Sequence, residues 1–206
     1  MPEALNPEGI VNTLQTSKVE SLKQFRLWFG KSQIVNEDGF PKRVYHGTNM
    51  AFAIFQSKKR NPELGFHFGS ISQAEFFAGY GSENVGGSLG CVMPVYLRIE
   101  NPLRLFDIFE RGRRSAENVA RWLRRDGVID QRTCARIFAA RSARAACLRM
   151  AMAIEALGYD GIVYGNEWEG GSETINEDAY VAFRSEQIKS VFNRGTFNPV
   201  SANILE

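Results

Sequence analysis

The chain has 206 residues, 44% apolar and 23% charged, and its 25 basic side chains against 23 acidic ones leave a net charge of +2. This composition supports one core-forming domain and excludes a disordered chain, which needs fewer apolar residues and a larger net charge. It also excludes a membrane-spanning helix, since no run reaches ~18 uninterrupted apolar residues, and no membrane partner is expected.

Residues 1–15 are polar and broken by Pro2 and Pro7, so a flexible lead-in is expected there, with the folded domain over 16–206. The first eight residues have neither a basic nor an apolar leader stretch. That predicts no signal peptide and a protein that is cytoplasmic, or delivered into a target cell's cytosol. From Ser17 to Phe29, the spacing of Leu22, Phe25, Leu27, Trp28 and Phe29 predicts a helix stopped by Gly30.

Ile34-Val35, Asn36-Glu37-Asp38-Gly39 and Arg43-Val44-Tyr45 read as a β-hairpin about an Asp-Gly turn, delivering Tyr45-His46-Gly47-Thr48 at its end. Gly65-Phe66-His67-Phe68-Gly69 is a short strand bounded by glycines, and Ser70–Ala78 a helix capped by Ser70 or Ser72. Gly79–Gly90 reads as a glycine-rich mobile loop. Cys91–Ile99 is the longest strand candidate, and Pro94 within it implies an edge or a bulge. Ser115–Arg125 and Asp130–Leu157 are helical by spacing, the second rich in alanine. Gly161–Tyr164 and Tyr180–Phe183 are strands joined by an acidic loop. Strands interrupted irregularly by helices predict the α+β class.

Three cysteines without a C-x-x-C, and only two histidines, predict reduced thiols and no metal site. Charge is unevenly spread. From Arg104 to Arg149 there are twelve arginines, no lysine and five acids, a net +7 against −5 for the remainder. Arginine favours two-pronged contacts with phosphate or carboxylate, so this segment reads as a nucleic-acid or nucleotide contact, a dock for an acidic protein, or a solvated face.

Three pieces could carry chemistry: His46-Gly47-Thr48; Gly65–Ser70 with Phe76 and Phe77; and Glu173–Asp178 running into Tyr180-Val181-Ala182-Phe183. Each alone has a structural reading, as a buried histidine, core aromatics or a solvated acidic loop. Their order is more specific. With Trp28-Phe29-Gly30-Lys31-Ser32, Val92–Leu97 before Asn101-Pro102-Leu103, Gly158–Tyr164, Glu186–Ser190 and Asn193–Phe197, they resemble the ADP-ribosyltransferase superfamily. The likeness is to the small transferase domains of phage-associated polyvalent proteins and of bacterial toxins and effectors, and it spans roughly Phe25 to Asn203.

The resemblance implies a split, mostly antiparallel β core with flanking helices, an Arg-rich helical insertion at about 104–157, and NAD as substrate in the cleft between two halves. It implies transfer of mono-ADP-ribose to a macromolecular acceptor, protein before nucleic acid, with release of nicotinamide and without a metal. An immunity or inhibitor protein is a further partner of the kind such toxins meet. By the same resemblance, Tyr45, His46, Gly47 and Thr48 contact NAD, His46 at the adenosine ribose and Gly47 through its backbone at the carboxamide. Phe66, His67 and Phe68 follow, with His67 beside the nicotinamide ribose. Ser70 and Ser72 lie near the nicotinamide, and Phe76 or Phe77 stacks on its ring. Trp168 and Glu177 are expected to touch the acceptor.

One position departs from the family. A glutamate is expected where this chain has Ala179, and a methyl group can neither hold the ribose 2′-hydroxyl nor stabilise the positive charge that develops on the sugar. Three readings stand: Ala179 replaces a catalytic glutamate in a trapped variant; Glu177 or Asp178 reaches the site instead; or the protein naturally lacks the glutamate. The last resembles the histidine-pair enzymes that use NAD to move a 2′-phosphate from RNA, or an inactive module that binds NAD or ADP-ribose.

Overall fold

A computed structural model describes residues 21–56, 63–83, 90–105, 113–166 and 177–206. The lead-in 1–15 lies outside them. Helix α1, residues 21–29, ends at Gly30, whose φ of 57° is the left-handed conformation that closes a helix. Phe25, Trp28 and Phe29 form its packed face and meet Tyr96 and Phe197 in a cluster of their own. Leu22 and Leu27 turn to solvent instead, because the i, i+3, i+4 set of 25, 28 and 29 already fills the contact.

The strands are β1 (Val44–Thr48), β2 (Phe66–Phe68), β3 (Cys91–Leu97), β4 (Pro102–Leu105), β5 (Gly161–Gly165), β6 (Asp178–Ala182) and β7 (Ile188–Ser190). They form an antiparallel sheet in the order β1-β3-β7 and a four-stranded sheet in the order β2-β6-β5-β4, where only β4–β5 is parallel. Helices α2 (Ile71–Glu83), α3 (Arg113–Arg125), α4 (Gln131–Phe138) and α5 (Ala143–Ala156) complete the mixed architecture. None of the described helices is long and apolar enough to cross a membrane.

Several local expectations need correction. The Asp-Gly turn forms, with Gly39 at φ 80° and a bridge between Val35 and Pro41, but the ladder stops there. β1 pairs with β3 instead, where a longer run of bonds is available. Pro94 lies in the middle strand of its sheet, not at an edge. Opposite it, Tyr45 spends its N–H and C=O on Gly69, so the proline nitrogen points away from β1. On its other side the Val191 amide donates to the Pro94 carbonyl at 3.2 Å, one residue past the end of the β7 ladder at Val95. The missing N–H therefore costs no bond to β1, only the return bond to Val191 at the fringe of the β7 ladder.

The alanine-rich stretch is two helices, because Ser142 accepts from the Ala145 amide and starts a new one. α2 runs on through Gly79 to Glu83, beyond the expected start of the loop, while 84–89 lie outside the described residues. β4 and β7 are strands of four and three residues, too short to show alternation in the sequence.

One core cluster fills the space between the sheets, with Val44, Phe68, Val95, Val163, Tyr180 and Ile188 among its members. A second lies on the other face of the four-stranded sheet, where α3, α4 and α5 cover Leu103, Ile162, Tyr164, Ala179 and Val181. Beneath the C-terminal segment, the fully buried Lys189 donates to the carbonyls of Ser201 and Asn203 at 3.0 and 2.9 Å, and burial lowers its ammonium to about 8.

An unfolded lysine keeps its proton to about 10.5. Between these values the unfolded chain therefore binds more protons, and stability rises with pH. Urea denaturation of the wild type and Lys189→Met should show their stability difference shifting toward the wild type from about pH 7.5 to about pH 10. A constant difference would remove this proton from the account.

Candidate active site

The two sheets meet where β1 reaches β2. Tyr45 and Gly69 exchange both backbone hydrogen bonds, each 3.0 Å, and a nitrogen of the His46 ring lies 2.8 Å from the His67 carbonyl. That carbonyl is an acceptor, so Nδ1 of His46 carries the proton and donates it. The ring is packed edge-on by Phe52 and Phe55, with Phe68 5.6 Å away between centroids. Phe66 and Phe68 share that side, each against Phe55, and belong to the region between the sheets.

Strand alternation puts a different set on the opposite face. His67 pairs with Val181, and Tyr164 with Ala179. These four therefore point the same way, and the Tyr164 hydroxyl reaches across β6 to lie 3.2 Å from Nδ1 of His67. Ala179 is 1% exposed and Tyr164 2%. The phenol can make that reach because the side chain opposite it on β6 is only a methyl. The other His67 nitrogen, Nε2, stands 3.9 Å from a Glu63 carboxylate oxygen.

Gly47 faces α2. A Cβ there would strike the Ala74 carbonyl and sit 3.0 Å from the Ala74 Cα, so glycine is what lets the helix backbone close onto β1. α2 is capped reciprocally: the Ser70 hydroxyl accepts from the Gln73 amide, and the Gln73 side chain accepts from the Ser70 amide at 2.8 Å. Ser72 is half-buried in the first turn. Phe76 and Phe77 stand edge to face, 5.4 Å between centroids, with Phe76 49% exposed. Thr48 pairs with Cys91 at the end of the ladder.

The acidic residues before β6 diverge. Asp178 lies on the opposite face from Ala179 and grips Arg104 with both oxygens, at 2.6 and 3.0 Å; this hydrogen bonding raises the Arg104 guanidinium above its ordinary range. Glu177 has the same parity as Ala179 and is exposed, its carbonyl held by the Asn166 amide. Trp168 and Glu173 lie outside the described residues.

The structure thus brings Gly47, His67 and Ala179 to one region, sets His46 against the backbone of that region, and turns Phe66, Phe68 and Asp178 away from it. Sequence reasoning missed Tyr164, Glu63 and Arg104. Tyr164 was the recoverable one, since alternation from Ile162 along β5 puts its ring on the face shared with Ala179 and His67. Among the described residues no grouping of His, Cys, Asp and Glu could hold a metal ion.

A family model described as ADP-ribosyltransferase in polyvalent proteins matches residues 36–197, a span that contains every residue of this region. No curated protein and no solved structure matches the chain.

Proposed function

Because the chain belongs to the ADP-ribosyltransferase family of polyvalent proteins, whose members use NAD as substrate, we propose that it transfers mono-ADP-ribose from NAD to a macromolecular acceptor. Protein is the acceptor class this reading favours. In such a transfer the bond between the nicotinamide nitrogen and the ribose C1′ breaks, and its electron pair leaves with nicotinamide. Positive charge builds on the sugar, as in glycoside cleavage, and an acceptor atom then bonds to C1′ and gives up its proton.

The observation that carries this reading is that His67 shares one face of the sheet with Ala179, a position buried beneath α3–α5, beside the join where Gly47 closes onto α2, the helix that bears Phe76 and Phe77. In it the backbone at Gly47 receives the carboxamide, one ring of the Phe76/Phe77 pair stacks on nicotinamide, and His67 borders the ribose. His46, fixed by the His67 carbonyl, holds β1 in register with β2 and presents its second nitrogen to the adenosine ribose. Glu177 is the carboxylate of the right parity to face the developing charge.

Incubating the chain with NAD and a cell lysate, followed by mass spectrometry of the products, tests this. ADP-ribosylated protein is the expected product. ADP-ribose 1″,2″-cyclic phosphate would reveal 2′-phosphate transfer from RNA, and no product would leave an NAD- or ADP-ribose-binding module.

Tyr164 and Ala179 fit together, which supports the reading that alanine is native to this site. Ala179→Glu would place a carboxylate under the Tyr164 ring and break the phenol's reach to His67. It should cost about 3 kcal/mol or more of stability without raising nicotinamide release. A rise of ~10²-fold or more would instead identify Ala179 as the replacement of a catalytic glutamate.

A further inference from the structure

The most uneven charge in the molecule lies on the outer side of α3, α4 and α5, whose inner side packs over Tyr164 and Ala179. Residues 131–149 contain five arginines, Arg132, Arg136, Arg141, Arg144 and Arg149, with no acid and no lysine. All five are exposed, so the apolar side of this helical layer supplies the packing and the arginines are not needed for it.

Two observations separate this surface from an ordinary solvated one. First, several guanidinium groups are held in place by neutral partners. Arg121 lies over the Phe138 ring at 4.8 Å, Arg124 donates to the Gln131 side chain at 3.1 Å, and Arg149 donates to the Arg136 carbonyl. These contacts position the charge without cancelling it. Among the described residues the ion pairs of this layer are Arg125–Asp126 and a looser Arg121–Glu117 at 3.9 Å on α3, and Glu155 of α5 with Arg184 at 3.6 Å; none of these uses an arginine of 131–149.

Second, the first turns of α3, α4 and α5 hold no acid but do hold Arg114, Arg132 and Arg144. A helix begins with a partial positive charge that favours acids. Arginine in that place works against α3 and α5, while on α4 the Asp130 N-cap, which accepts from the Thr133 amide at 2.7 Å, offsets it; the remaining cost is one expected where a surface is kept for binding.

We infer that the arginine face of α3–α5 docks the phosphodiester backbone of a nucleic acid. The exclusive use of arginine suits the two-pronged recognition of phosphate. The acid-free run from 131 to 149 suits a polyanion more than a protein surface, whose acids come interspersed with bases. The docking needs no NAD, so it stands whether or not the transferase reading does.

Fluorescence polarisation of the full chain with a labelled 20-base-pair DNA duplex, a 20-nucleotide RNA and a polyglutamate peptide tests the inference across about 50–300 mM salt, without NAD. Binding to DNA or RNA should weaken linearly in log–log form as salt rises. Arg132→Gln/Arg136→Gln/Arg144→Gln should bind at least ~10-fold more weakly and lower the slope by about 2–3, one increment per lost phosphate contact. Preference for the duplex or for RNA identifies the source of the backbone. An unchanged melting temperature in the triple variant shows that the loss is one of contact. Absent nucleic-acid binding at 50 mM salt, an unaffected triple variant, or equal binding of polyglutamate would each overturn it, the last in favour of an acidic protein partner.

Discussion

His67→Ala is expected to lower nicotinamide release from NAD about 10²-fold or more, the scale on which one preorganised contact to a developing charge acts. NAD affinity should fall much less, because the contact strengthens mainly as the glycosidic bond breaks. The imidazole is placed by three constraints: the short β2 strand beneath it, the Tyr164 hydroxyl at 3.2 Å, and Glu63 at 3.9 Å from its other nitrogen. Tyr164→Phe keeps the ring and removes only the hydroxyl, so it separates positioning from packing. A single lost hydrogen bond is worth about 1 kcal/mol, so release should drop only about fivefold. Equal loss of NAD binding and turnover in His67→Ala would make His67 a structural residue and withdraw it from the chemistry.

Gly47→Val should be the most damaging small change in the fold. Its side chain would need the space taken by the Ala74 backbone, and the obstruction is a helix carbonyl, not a flexible side chain. α2 would have to lift from β1, carrying Phe76 and Phe77 with it. Overpacking of this kind costs about 3 kcal/mol, which for a chain of this size is roughly 6–12 °C in melting temperature. Gly79→Ala, in the same helix with open space at its Cβ, is the control. It should be neutral or stabilising by up to about 1 kcal/mol, and comparable losses in both would show that the close approach at Gly47 carries no special weight.

The parts of the fold legible in the sequence were those written in local chemistry. Glycines bounding Phe66–Phe68, the Ser70/Gln73 cap and the β-branched run of Gly161–Tyr164 are short-range signals, and each produced its element. What stayed hidden depended on which strands meet. Pro94 looks like an edge residue until Tyr45 is seen bonding to Gly69, and Pro102–Leu105 becomes a strand only because β5 lies parallel to it. At the site, ordered motifs picked out His46, Gly47, His67 and position 179. They could not show that Asp178 turns to Arg104, nor that Tyr164 closes over Ala179, because both follow from register across three strands.

The tie between Tyr45 and Gly69 is made wholly of main-chain atoms. At position 45 any residue except proline would preserve it, whatever its side chain presents to a ligand. This part of the join is thereby uncoupled from recognition, unlike the His46 contact beside it, which depends on a side chain. Relatives with the same strand order can change the chemistry of what they accept, position by position, without loosening the seam that holds both walls in place.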